Sequence, residues 1–396
     1  MPFITTRITP AQDATLKGTP LTNAEIDQNF INLNNALILS RDITGFVDRT
    51  SSSVTFNSAN RTLTLAPTGS NFSVYLRGKE FVISSTKTLQ ISDTTQGVYY
   101  GYNTTTGNLQ SYGATPDFAD TVLVAFIYWD GVNDNPVIFG DERHSVSRDS
   151  NWHTYQHVTN GAIWNSGGDA SYTVNNSNNV KFSLTTPIVV FDEDLTHTIN
   201  HSASPSQPYE QNLLNNVNVP IIYYNNNGYV QTEPSDVPWY PSTTRAFYNE
   251  ISNGVGSLQM ASTNDMYVVY WCVATNDTRY PIKLVMGRNA YTSFGEAETE
   301  NFEGYGLPLP EIVPMYKFVL QTSSTLTQNT ARVRIVSVRE IVGNQNARGN
   351  SFDTLSHNSL SDRFSSNQHD IASITNLQTT LDDIGGSAIA MAIALG

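Results

Sequence analysis

Two of the chain's seven histidines, His153 and His157, stand four residues apart in Trp152-His153-Thr154-Tyr155-Gln156-His157. If that segment is helical, the spacing puts both imidazoles on one face, where they can share a metal ion. It lacks the acid that follows the first histidine in a His-Glu-x-x-His hydrolase. A third ligand would come from His144 or His197, or three chains would each supply one histidine. Hydrogen bonding inside a folded body is the competing role, so no cofactor is assigned, and His153 and His157 stay only as metal-ligand candidates. The densest acidic run is Asp192-Glu193-Asp194, close to His197. Paired carboxylates can cleave a glycosidic bond or hold calcium. Three consecutive residues at a strand-to-loop junction would not all face one site, however, so the run reads as a solvated turn.

Other catalytic signatures are missing. The sequence has no phosphate-binding Gly-rich loop, no Gly-x-Ser-x-Gly elbow and no Cys-x-x-Cys pair. We therefore expect a non-enzymatic protein with no catalytic residues. The single cysteine, Cys272, lies in the apolar run Tyr267-Val-Val-Tyr-Trp-Cys-Val273 and reads as a buried small hydrophobe. Aromatic residues are the better sign of recognition. Trp239-Tyr240, between Pro238 and Pro241 in an expected loop, is the candidate contact for a sugar. Tyr99-Tyr100-x-Tyr102 and Tyr223-Tyr224 could serve similarly if exposed, or pack in a core.

These residues must be held by a framework that is mostly strand. Short β runs separated by turn residues cover 54–140, with 120–129 the expected central strand because it is almost continuously apolar. A second β-rich region covers about 180–342, with a hairpin at Asn225-Asn-Asn-Gly228. Residues 201–218 and 231–262 are expected to be long loops. Closely spaced strands without intervening helices predict antiparallel β-sandwich or barrel domains. We divide the chain into an arm and helix (1–45), a first β domain (46–145), a second β domain with long loops (146–345) and a C-terminal segment (346–396).

Charged residues make up only 14% of the chain and the formal net charge is −14. That balance argues against nucleic acid as a partner, because a phosphate backbone needs gathered Lys and Arg. The N-terminus lacks a secretory h-region, and no apolar run reaches the roughly 20 residues of a membrane span.

Both ends carry helix-forming stripes. Thr22-Asn-Ala-Glu25 is a capping box, followed by Ile26, Phe30, Leu33 and Leu37 at spacings of four, three and four. Near the other end Ile371, Ile374, Leu377, Leu381 and Ile384 line a second stripe. Then Ile389, Met391, Ile393 and Leu395 alternate with small residues in a tail suited to docking. Narrow apolar seams of this kind call for copies of themselves, so the helices are expected to form coiled-coil-like contacts.

Three stretches resemble proteins of tailed-bacteriophage virions. Leu21-Thr-Asn-Ala-Glu-Ile-Asp-Gln-Asn-Phe30 is similar to the start of many tail-fibre proteins. His357, Asn358, Leu360, Arg363, Gln368 and His369, with Ile371 and Ile374, resemble a shaft motif of such fibres. That motif usually has Gly where this chain has Asn376, and often occurs in tandem; here there is one copy. Gly140-Asp141-Glu142-Arg143-His144, followed by the paired histidines and Gly161-Ala162, looks like a segment of virion structural proteins. The resemblance implies a homotrimeric tail fibre or fibre-like appendage for host attachment, located in the virion and assembled in the host cytoplasm. Its partners would be itself, other virion proteins (baseplate, tail or capsid) and a host surface glycan. A fibre-to-baseplate adaptor, a capsid fibre and a polysaccharide depolymerase are the alternatives.

Overall fold

The computed structural model describes residues 4–6, 14–41, 43–114, 121–146, 150–172, 182–214, 218–226, 228–242, 244–302, 307–326 and 332–341. The fold is mainly β, with sheets that are chiefly antiparallel. Residues 1–351 group as one unit and 352–396 as another. The C-terminal helix positions Ile371, Ile374, Leu377, Leu381 and Ile384 lie outside the described residues. So do the fibre-motif residues His357, Asn358, Leu360, Arg363, Gln368 and His369, and the tail residues Ile389, Met391, Ile393 and Leu395.

Helix α1 (Asn23–Arg41) begins where the sequence places it. Thr22 Oγ1 accepts from the Glu25 amide at 3.2 Å, and Glu25 Oε2 accepts from the Thr22 amide at 2.7 Å. Asn29 holds the N-terminal arm by accepting from the Thr5 amide and donating to its carbonyl, both at 2.8 Å. The stripe is exposed: Ile26 by 38%, Phe30 by 68% and Leu33 by 49%. The Leu37 side chain lies outside what is described.

The two β regions are joined by a shared core. A four-stranded sheet has its strand Val122–Asp130 inside, buried along its whole length as the apolar run predicts. One face of that strand joins a cluster with Phe46, Leu63, Phe72 and Val74. The other face contributes Leu123, Phe126 and Tyr128 to a cluster with Ile222, Tyr229, Val269, Trp271 and Val285 of a six-stranded sheet. Strict alternation would not sort the residues this way. The ladder slips between Leu123 and Ala125, and at that bulge the inward face changes from Val122 and Val124 to Ala125, Ile127 and Trp129.

The six-stranded sheet repeats the device. In Met266–Thr275, Val268, Tyr270, Cys272 and Ala274 face a third cluster, while Val269, Trp271 and Val273 face the shared one. Its neighbour Ile312–Thr322 slips at Met315, so Val313 and Met315, then Tyr316, Phe318 and Leu320, all reach the same side. Because the middle cluster draws on both sheets, residue 145 does not separate two independent cores. Cys272 is fully buried, as expected, and burial pushes its thiol up.

The hairpin at Asn225–Gly228 is present, with Asn225 paired to Gly228. The stretch 231–262 is not all loop: Phe247–Ser252 and Val255–Met260 form a six-pair hairpin within it. Asn253 at φ +51 and Gly254 at φ +80 supply its turn, a signal that the polar composition obscured. Trp239 is buried at 4% in the third cluster and does not present a ring to a sugar. Tyr240 is half-buried beside it, and its amide meets the Tyr270 hydroxyl at 3.2 Å. Tyr99, Tyr100 and Tyr102 are also core residues.

Glu300 follows the capped helix α3 (Phe294–Glu298) and is enclosed, accepting from the Arg288 amide at 2.7 Å. Burial raises its carboxyl to about 7, against the opposing pull of the Arg288 amide, Tyr291 and Lys317. A raised acid stabilises the fold below its unfolded value near 4.5 and loses that contribution as pH rises toward 7. Compared by urea unfolding at pH 5 and pH 8, Glu300→Gln should therefore gain on the native chain by about 2.5 kcal/mol between the two. Parallel pH profiles for the two proteins would refute this.

Candidate functional site: a buried histidine–carboxylate centre

Leaving the strand Asn135–Asp141, the chain makes a tight turn in which the His144 amide donates to the Glu142 carbonyl at 2.9 Å. Asp141 and Arg143 point one way and lock together, Arg143 Nε and Nη2 donating to Asp141 Oδ1 and Oδ2 at 2.8 and 2.7 Å. Arg143 Nη1 also donates to the Ser52 carbonyl at 2.6 Å, tying the segment to the first β region. Glu142 and His144 point the other way. Gly140 has a local reason: a Cβ there would meet the Asn276 carboxamide at about 2.5 Å. Gly161 sits at φ +58 with Pro310 where a Cβ would go.

Helix α2 (Ser150–Thr159) turns His153 and His157 onto one buried face, as their spacing predicts. Facing them is the two-residue turn Glu193-Asp194 between the paired strands Ile188–Asp192 and Leu195–His201. Glu193 takes the left-handed φ of +53, uncommon for a residue with a side chain. Asp192-Glu193-Asp194 is therefore not a solvated turn. Asp192 is 1% exposed, and the side chains of Glu193 and Asp194 are 0% and 9% exposed. The reversal of the chain lets three neighbours face inward, which neither a straight strand nor an open loop would do.

Hydrogen bonds run from group to group around the centre. Glu193 Oε1 lies 2.8 Å from His157 Nδ1, and His157 Nε2 lies 3.0 Å from the Tyr99 hydroxyl, which donates to Glu311 Oε1. Asn276 Nδ2 donates to Glu311 Oε2 at 2.7 Å and to Glu142 Oε1. Glu142 Oε2 then meets His144 Nε2 at 3.3 Å, and His144 Nδ1 reaches Asp194 Oδ1 at 2.6 Å and Glu193 Oε2 at 3.8 Å. His153 Nδ1 approaches Glu193 Oε2 at 3.2 Å. Asp194 Oδ2 accepts from the amide and hydroxyl of Ser145 at 2.9 and 2.5 Å.

Electrostatics divides the centre. Burial would lower the His144 imidazole, but the charge of Glu193 and the carboxylates of Asp194 and Glu142 raise it well above its ordinary range. Burial would raise Glu193, but His144, His153 and His157 bring it down to about 2. In the other half, burial raises Glu142, and burial with the charges of Glu142 and Asp192 raises Glu311 well above normal. Burial, with Glu311 beside it, also drives the Tyr99 hydroxyl well up.

Two sets of potential metal ligands result, His144, His153 and Glu193 in one and Glu142, Asp192 and Glu311 in the other. His197 belongs near the second, 3.8 Å from Asp192 Oδ2, rather than with the helical pair. The sequence pointed to His144, His153, His157 and His197, offered Tyr99 only as a sugar-stacking or core ring and Glu142 only as part of a virion-like segment, and assigned nothing to Asn276 or Glu311. Glu311 had a visible signal, a lone acid entering the apolar strand Ile312–Thr322. The centre is buried, with no carboxylate or helical histidine side chain more than 9% exposed. No protein family, curated protein or solved structure matches the chain.

Glu193→Gly separates the turn from the charge, since glycine suits a positive φ. If backbone shape were all that mattered, stability would hold or rise. We expect instead a loss of about 3 kcal/mol in denaturant unfolding, because the buried histidines lose their common acceptor.

Proposed function

We propose that the chain is a structural component of a bacteriophage virion, a trimeric tail-fibre or fibre-like appendage protein serving host attachment. The observation that carries this reading is the exposed stripe of α1, where Ile26, Phe30 and Leu33 stand free along one helical face. Burial of apolar area is favourable by about 25 cal/mol per Å², so matching stripes from other copies would gain by meeting. In this arrangement the N-terminal helices form a coiled-coil-like contact and the sheets pack as β-sandwiches or barrels. The sharing of one hydrophobic cluster by two sheets supports the packing. The segment 346–396, with its fibre motif and apolar tail, would add the second contact and meet other virion proteins of baseplate, tail or capsid. Assembly would take place in the host cytoplasm. A fibre-to-baseplate adaptor or a capsid fibre would use the same surfaces.

The centre lends the depolymerase alternative no support. Asp192 and Glu193 are enclosed, and a glycosidase needs its carboxylates to flank a sugar in an open cleft. Among the described residues no helix is long and apolar enough to cross a membrane.

Light scattering of the full chain at micromolar concentration should give the mass of three copies. Phe30→Asp with Leu33→Asp should weaken the assembly, and the loss should deepen when 356–396 is also removed. A native chain that is monomeric, with no virion protein that assembles it, would rule out the appendage.

A further inference from the structure

We propose that Glu142, Asp192 and Glu311 form a closed site for one hard divalent cation, Ca²⁺ or Mn²⁺, at the junction of the two β regions. The inference stands whether or not the chain forms a trimer. One oxygen from each carboxylate lies within 4.8 Å of the others, and the residues are 0%, 1% and 0% exposed. The basic side chains nearest them are His144, His197 and His157; among the described residues neither Lys nor Arg is paired with them. Three enclosed carboxylates so placed repel one another unless a positive charge is shared among them.

A second observation comes from outside the acidic set. His197 is 2% exposed, and its Nε2 has no hydrogen-bond partner. It faces Asp192 Oδ2 across 3.8 Å, too far for a hydrogen bond, and that oxygen is also without one. Asn276, 2% exposed, donates to both glutamates while its Oδ1 is left without a hydrogen bond. Buried polar atoms in native proteins are nearly all partnered, so three such atoms around one carboxylate set point to a missing ligand. A proton shared by Glu142 and Glu311 would still leave Asp192 Oδ2, His197 Nε2 and Asn276 Oδ1 without hydrogen bonds. A cation accepts an oxygen from all three carboxylates at once.

The donor set selects the ion. Carboxylate oxygens suit Ca²⁺ and Mn²⁺ better than thiophilic metals, and an all-protein enclosure disfavours Mg²⁺, which keeps several waters. The other set, His144, His153 and Glu193, is less suited. His144 and His153 already direct Nδ1 to carboxylates at 2.6 and 3.2 Å, and His144 Nε2 reaches Glu142 at 3.3 Å. Coordination there would break those contacts, whereas at the triad the oxygens of Glu142 and Glu311 can keep their hydrogen bonds on one lone pair and ligate with the other, and Asp192 Oδ2 gains a partner.

Elemental analysis of the full chain, purified without chelator, should find about one equivalent of calcium or manganese per chain, and which one decides between the two. Stripping with chelator under mild denaturation should lower the melting temperature by about 5 °C or more, with recovery on adding back that metal alone. Asp192→Asn should lose the metal while keeping the β circular-dichroism spectrum. If that variant does not fold, the stripping and add-back of the native chain carry the test. Metal-free protein whose melting is indifferent to chelator, Ca²⁺ and Mn²⁺ would overturn the proposal. So would stoichiometric zinc that survives Asp192→Asn and is lost in His153→Gln, which would place the ion in the histidine set.

Discussion

A charge taken out of water must meet an opposite charge or a full set of hydrogen bonds, and in this protein that demand is concentrated at one place. Five carboxylates (Glu142, Asp192, Glu193, Asp194 and Glu311) and four histidines are buried together. They come from the exit of the strand Asn135–Asp141, helix α2, the hairpin of Ile188–Asp192 and Leu195–His201, and the 3-10 turn Leu309–Glu311. Tyr99 and Glu311, joined directly, are 212 residues apart in the chain. None of these elements can shift alone without stranding a partner. Such a network adds little net stability over an apolar core of the same volume, but it makes wrong packings costly. It acts as a register pin.

The apolar packing supplies the stability that the centre does not. Val122–Asp130 and Met266–Thr275 are each apolar on both faces because different clusters lie on their two sides. Bulges in the ladders, at Leu123/Ala125 and at Met315, let Val122–Asp130 and the neighbouring strand Ile312–Thr322 change phase without exposing a hydrophobic residue. The centre lies where strands of both sheets end. Gly140 bridges to Asp277 there, and the Lys283–Asp277 pair, fully buried at 2.7 Å, lies alongside.

A body pinned in this way suits a part that must keep its shape under load. The proposed appendage needs an inert, stiff β body between ends that join other chains. A buried charge centre that ties distant elements together is consistent with that role. Exposed α1 contrasts with it: there the apolar residues are at the surface and the polar ones hold only the arm.

Local signals were legible in the sequence wherever one element decides the outcome. The capping box at Thr22, the hairpin at Asn225–Gly228, the burial of Cys272 and the apolar central strand depend on neighbours within a few residues. So does the common face of His153 and His157, which follows from helical spacing. Other outcomes needed the folded chain. Polar composition made 231–262 look like loop and Trp239 look exposed, but another layer packing over a residue buries it whatever the polarity of its flanks. Asp192-Glu193-Asp194 looked solvated because acids at a turn ordinarily are. Only the arrival of α2, His144 and Ser145 from other parts of the chain turned that turn inward. Spacing along a chain fixes which side chains share a face of one element, whereas which faces meet is decided by the whole packing, and the centre exists only in that meeting.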